Sequence, residues 1–503
     1  MDKKENVWKQ LLAALIAVCF VLPLLGCKAN DSQETQEIST ETERLAKLCR
    51  VWGYVKYTHP AFLFGEKDWD EELLSLIPQV REQETSEEVN ELLHQWFISL
   101  GEIDYRRRGT AHTSNKEDWV IETDISWTED TDYLGKNLAA DFAQLPEELP
   151  DLLNRNKAPV SFDEQTSVPD FSNEQDHAGG YDDAGFRLLG LFRLWNGIEY
   201  YFPYLHLMDE SWESCLPDAI DNMMAGTDQA SYEETIYELI GHLHDNHVMV
   251  VDSDTKKSTI GQYFAEYGFP APLEEAEGKL VVTEGVEGCP LATGDVLTAL
   301  NGEAIDAIAE AAKKYFSITR EEVFLENARY LITTSETEDM EVTVLRGNEE
   351  LTLSVKGTLH STYNSKGSKA PYEILDGGIG LINPEAIDGV NTLYETMNAV
   401  KDTQALVIDL RQYPGFTSFE FMYLYFYLPS TYREVMTFAR PTETVPGSYI
   451  QNVQYYGYTP WVLSVSENFY PYEKPVAVLM DKTSLSLSEM AITVFRTDEN
   501  VVV

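Results

Sequence analysis

Apolar positions recur in two rhythms along the chain. Between Arg44 and about residue 250 they fall every three or four residues. Leu45, Leu48, Cys49, Trp52 and Val55 thus share one face of a predicted helix. Beyond residue 260 the period drops to two. Lys279-Leu280-Val281-Val282, Gly294-Asp295-Val296-Leu297-Thr298-Ala299-Leu300, Met340-Glu341-Val342-Thr343-Val344 and Leu351-Thr352-Leu353-Ser354-Val355 read as strands, and Asn301-Gly302 as a tight turn between two of them. From about Tyr372, short apolar runs at 379–382, 405–410 and 476–480 alternate with helical segments, notably 390–400. That alternation predicts βαβ units and a mostly parallel, buried sheet.

The helical part contains a repeat. Arg44-Leu45-Ala46-Lys47-Leu48-Cys49-Arg50-Val51-Trp52 aligns without a gap on Arg187-Leu188-Leu189-Gly190-Leu191-Phe192-Arg193-Leu194-Trp195, an offset of 143 residues. The same offset pairs Tyr57 with Tyr200, Pro60 with Pro203, Trp69 with Trp212, Leu73 with Leu216 and Ile77 with Ile220. Each copy reads as a helix, a Pro-bearing turn, a second helix and a third at 87–98 or 232–244. The copies diverge at their ends. The second closes on His244-Asp245-Asn246-His247-Val248, the first on Ser99-Leu100-Gly101-Glu102 with no histidine. The acidic, Pro-bearing stretch 129–183 reads as a linker or surface excursion, and Arg106-Arg107-Arg108 as a solvated turn.

The N-terminus carries an address. Lys3, Lys4 and Lys9 precede an apolar run, 11–25, that is short for a bilayer span and suits an export signal. It ends in Leu24-Leu25-Gly26-Cys27, which resembles the lipobox of bacterial lipoproteins. The resemblance implies a signal peptide over 1–27, acylation of Cys27, and an envelope protein on the extracytoplasmic face of a bacterial membrane. An ordinary signal peptide is the alternative. The polar segment 28–43 then serves as a flexible tether. With 37 Lys and Arg against 85 Asp and Glu, the formal charge is −48, which argues against nucleic acid as a partner. Of five cysteines, Cys49, Cys215 and Cys289 follow the tether at unrelated spacings, so no disulfide framework is legible. No Cys/His spacing resembles a zinc site. Neither metal nor cofactor is expected.

Two segments could carry chemistry. Asp481-Lys482-Thr483-Ser484-Leu485-Ser486-Leu487-Ser488-Glu489 follows an apolar strand and precedes the apolar stretch 490–495. A serine at such a strand-to-helix turn meets free backbone amides and the positive end of a helix dipole. Ser486 with Glu489 also fits a helix-capping box, and spacing alone does not separate the two roles. Asp409-Leu410-Arg411-Gln412-Tyr413-Pro414-Gly415 ends a second strand with a Pro-Gly turn at the sheet edge where ligands usually bind.

Gly294-Asp295-Val296-Leu297 leading into Asn301-Gly302 resembles the PDZ module, which captures a peptide C-terminus by strand addition. In chain order, the helical region, this module, Asp-Leu-Arg with Pro-Gly, and Ser-x-Ser-x-Ser-Glu resemble the tail-specific (C-terminal-processing) serine peptidases, in their tricorn-like branch. The resemblance implies Ser486 as nucleophile and His247 as general base, with His244 as its rival. It also implies an oxyanion hole from the backbone amides of Gly415 and Leu487. Phe416 stands where the family usually has a second glycine. The sequence stops at Val503, before the position of the lysine or carboxylate partner of that family, and reads as a truncated catalytic domain.

The expected fold is multidomain α+β. A helical repeat region (44–128 and 184–261, flanking 129–183) precedes a PDZ-like β-rich module (262–357) and an incomplete α/β catalytic domain (372–503). The expected partners are a peptide or protein substrate and, through Cys27, a membrane, with homo-oligomerisation open. The expected activity is serine endopeptidase. A catalytically inactive peptide-binding lipoprotein and a serine esterase of non-peptide substrates are the alternatives.

Overall fold

The computed structural model describes residues 40–105, 109–110, 119–146, 149, 151–152, 157–163, 168–175, 179–251, 258–359, 369–411, 413–414, 420–428, 433–456 and 470–503. The expected signal peptide, Cys27, the arginine triplet and Gly415 lie outside them. Among the described residues, no helix is long and apolar enough to cross a membrane.

The fold is mixed helix and sheet, with several separate sheets. Helix α1 (Thr40–Thr58) buries its predicted stripe completely: Leu45, Leu48, Cys49, Trp52 and Val55 have no exposed surface. Helices α2 (Trp69–Arg81) and α3 (Ser86–Ser99) follow. Asp68 caps α2, and α3 opens on a capping box between Thr85 and Glu88, so first-turn amides of both helices find partners locally. After β1 (Trp119–Ile121), the stretch read as a linker contains helix α4 (Thr131–Phe142). Leu134, Leu138 and Phe142 of α4 enter the same core as α1. The excursion is therefore partly structural, because its apolar positions outweigh its acidic composition.

Helices α5 (Ala184–Tyr201), α6 (Leu216–Ala225) and α7 (Gln229–Gly241) complete this core. One hydrogen bond recurs at the 143-residue offset. The Trp52 indole donates to the Trp69 carbonyl at 2.8 Å, and the Trp195 indole to the Trp212 carbonyl at 3.4 Å. The two stretches share one hydrophobic core and one buried ionic cluster. Lys56, fully buried, pairs with Glu174; Arg193 pairs with Asp70 and Glu174. Burial pulls the Lys56 ammonium below its ordinary range, with Glu174 opposing. Helix α7 ends at Gly241, three residues short of the expected His244, which has left-handed backbone at φ +49°.

The next module holds strands β2 (Leu273–Ala276), β3 (Lys279–Val282), β4 (Val296–Leu300), β5 (Asp339–Arg346) and β6 (Glu349–Lys356). They form an antiparallel sheet in the order β6-β5-β4-β3-β2. Helices α8 (Ile305–Ala312) and α9 (Phe324–Ile332) pack with it around a separate core. The Asn301-Gly302 turn has positive φ at both residues, +51° and +83°, as a tight two-residue turn requires.

The last sheet runs β7 (Tyr372–Leu375), β8 (Ile379–Ile382), β9 (Ala405–Asp409), β12 (Val476–Leu479) and β13 (Val501–Val502). Only β7 is antiparallel to its neighbour. Helices α10 (Val390–Val400) and α11 (Leu487–Phe495) cover its core. Between β9 and β12 the chain forms a hairpin, β10 (Arg433–Pro441) and β11 (Tyr449–Tyr456), whose third strand is β1 from the helical region.

Candidate active site

β9 and β12 are adjacent and parallel, so the loops after Asp409 and Leu479 leave the sheet side by side. In open α/β sheets, ligands bind at this carboxyl edge. Three hydrogen bonds join the two loops. Leu410 N–H donates to the Leu479 carbonyl at 3.0 Å. Ser484 Oγ donates to the Leu410 carbonyl at 3.0 Å, and Thr483 Oγ1 to that of Arg411 at 3.2 Å. The Arg411 guanidinium folds back on Asp409, with two contacts at 2.9 and 2.8 Å, and holds that carboxyl below the usual aspartate range. Tyr413 and Pro414 follow; Gly415, the expected oxyanion donor, lies outside the described residues.

The three serines of the turn fall into different environments. Ser484 is buried and bonded to the neighbouring strand end, and Ser488 is wholly buried inside α11. Ser486 is half-buried, with backbone at φ +56° and ψ −111°. Ser486 is the N-cap of α11 and forms a capping box with Glu489, on a backbone outside the β region where capping serines normally sit. Holding a non-glycine residue at positive φ costs about 1–3 kcal/mol and is typical of functional turns. Glu489 carboxylate accepts the Ser486 N–H at 3.1 Å, and the Ser486 carbonyl accepts from Met490 at 2.9 Å, which pins the strained residue from both sides. Leu487 opens α11, so its N–H belongs to the first turn, where no preceding helical carbonyl can take it.

The histidine segment and this turn both line a cleft of about 1490 Å³, although Ser486 and Leu487 themselves are not among its lining residues. His242, His244 and His247 line one wall; residues 482–485 and Glu489, on either side of Ser486, line another. The walls are tied together. Asn246 Oδ1 accepts the Thr319 N–H at 2.9 Å, and the Arg320 guanidinium donates to the Lys482 carbonyl at 2.8 Å. Lys482 ammonium pairs with Glu275 of β2, so the central module is anchored to the serine turn twice. The His247 side chain is about half exposed, at 53 %. Its Nδ1 lies 2.8 Å from Asp245 Oδ1. Among the described residues, no group of three or more His, Cys, Asp or Glu is placed to hold a metal ion.

Asp245, Ser484 and Arg320 are the contributors that sequence reasoning missed. Asp245 stood beside a candidate histidine and its aspartate-x-histidine spacing was the available signal. The roles of Ser484 and Arg320 depend on partners 74 and 162 residues away and left no local signal.

No family model matches the sequence. No curated protein matches it. Among solved structures, mature CPAF complexed with lactacystin is similar at TM-score 0.46 and 11% identity, over 63% of this chain and 84% of that one. The photosystem II D1 C-terminal processing protease is similar at TM-score 0.33 and 14% identity, over 63% and 80%. Likenesses of that size carry no conclusion about activity, and the functional reading rests on the site's own geometry.

Proposed function

We propose that the chain is a serine endopeptidase acting on extended peptides or protein C-termini, with Ser486 as nucleophile and His247 as general base. The observation that carries the reading is the strained, half-buried Ser486 at the head of α11, whose neighbours Ser484, Leu485 and Glu489 line the same cleft as His244 and His247. A serine hydroxyl needs a base to become an effective nucleophile, and imidazole serves near neutral pH. The Ser486 Oγ attacks the scissile carbonyl while its proton passes to His247 Nε2. The tetrahedral oxyanion lies against the amide of Leu487, where losing one such donor typically costs about 10²–10³ in rate. The C–N bond then breaks, and His247 returns the proton to the leaving amine. Water hydrolyses the resulting acyl ester by the same route in reverse.

The module at 262–357 presents peptide to this cleft through its sheet edge. Cys27 carries a diacylglycerol that holds the enzyme on the outer side of a bacterial membrane; the basic start, the apolar run and Leu-Leu-Gly-Cys support that placement. The test is turnover of an internally quenched peptide library by the full chain and by Ser486→Ala. Cleavage by the unsubstituted protein, abolished by the substitution, is the expected result. Peptide binding without cleavage in both would point to a binding protein, and turnover of esters alone to an esterase.

A further inference from the structure

A general base must be held in one tautomer, because an imidazole protonated on the nitrogen that faces the serine cannot accept its proton. The structure places a carboxylate against the His247 ring from within its own loop. One oxygen of Asp245 accepts the His247 backbone N–H at 2.9 Å and meets the ring Nδ1 at 2.8 Å. Backbone and ring are thus fixed by a single carboxylate.

The carboxylate is itself held in place. Asp245 N–H donates to Ser317 Oγ at 2.9 Å, and the adjacent Asn246 binds the Thr319 amide. Both partners lie one to three residues before Arg320, whose guanidinium reaches the Lys482 carbonyl in the serine turn. The orientation of the ring is therefore referenced, through the central module, to the segment that carries Ser486.

We propose that Asp245 is the positioning residue of the site: it binds Nδ1–H of His247 and leaves the Nε2 lone pair free to take the Ser486 proton. The proposal rests on the reading of Ser486 and His247 given above. During attack the proton moves from Ser486 Oγ to Nε2, and the imidazolium so formed lies against the Asp245 carboxylate. No second proton transfer is needed. In serine hydrolases with a buried orienting carboxylate, its loss drops kcat by about 10⁴. Asp245 retains 22 % exposure and His247 53 %, so water screens the pair and a smaller effect is expected.

The test uses the full chain carrying ¹⁵N-labelled histidine, with the His247 signals assigned by their loss in His247→Gln. The unsubstituted protein should show the Nδ1–H tautomer at His247, and Asp245→Ala should lose that preference. Fluorophosphonate labelling of Ser486 should slow by about tenfold to a hundredfold in Asp245→Ala, with the urea midpoint unmoved. Asp245→Glu should recover part of the rate if a carboxylate is what the ring requires. An unchanged tautomer overturns the proposal, and so does an unchanged labelling rate. Failure of the underlying reading looks different: the unsubstituted chain itself would then not label at Ser486.

Discussion

If Ser486 is strained because the turn must aim its hydroxyl, glycine at this position should be more stable than alanine. Two substitutions separate backbone from hydroxyl. Ser486→Ala and Ser486→Gly both delete the oxygen, but only glycine accepts φ +56° and ψ −111° without steric cost. A non-glycine residue held there costs about 1–3 kcal/mol. Glycine gives back about 0.4–1 kcal/mol through the greater freedom of its unfolded chain. The net expectation is that Ser486→Gly is more stable than Ser486→Ala by about 0.5–2 kcal/mol. With a urea m-value of about 1–3 kcal/mol/M, the transition that includes the C-terminal core should shift upward by some tenths of a molar unit or more. The assay is urea unfolding followed by the fluorescence of Tyr425 and its aromatic neighbours in that core. A midpoint for Ser486→Gly equal to or below that of Ser486→Ala would refute strain at the nucleophile position.

Ser484→Ala removes the buried bond to the Leu410 carbonyl and should cost about 1–2 kcal/mol together with a slower labelling rate at Ser486, read by denaturation and probe kinetics. Arg320→Ala cuts the link to the Lys482 carbonyl at an exposed position, so peptide turnover should fall while the melting temperature stays within about a degree. Burial raises the Glu199 carboxyl to about 7, with Arg50 opposing and Glu213 and Asp124 assisting. Its ionisation therefore costs folding free energy as pH rises from the ordinary glutamate range through 7. Glu199→Gln should gain stability over the parent at pH 8 and lose that advantage at pH 4, in paired melts. Asp409, held low by Arg411, works in the opposite sense. Its contribution is present above the ordinary aspartate range and disappears as pH falls below it, so Arg411→Gln should flatten the acid side of the stability profile.

The sequence made local decisions legible and long-range ones obscure. The α1 stripe, the Asn301-Gly302 turn and the apolar strands β8, β9 and β12 are set by neighbours a few residues apart, where periodicity and turn chemistry act directly. Helix α4 escaped because acidic residues mask its buried apolar positions and Gly135, at φ +72°, breaks its register. The β10–β11 hairpin takes its third strand from residues 119–121, more than three hundred positions earlier, and no local pattern announces such a partner. In the site, Ser486 was legible as a residue with two competing roles. The structure bears out the capping box with Glu489 and adds a positive φ, a backbone angle that spacing cannot encode. His247 was legible as a position, whereas its contact with Asp245 depends on a turn that begins with the left-handed His244.

The central claim is that one hydroxyl, at the head of α11, is activated by the imidazole across the cleft. Labelling of the full chain with a fluorophosphonate, followed by mass-spectrometric mapping of the adduct, tests it most directly. A single adduct on Ser486, formed far more slowly in His247→Gln, is the predicted result. Modification of another serine, or labelling of Ser486 at an undiminished rate without His247, would contradict it.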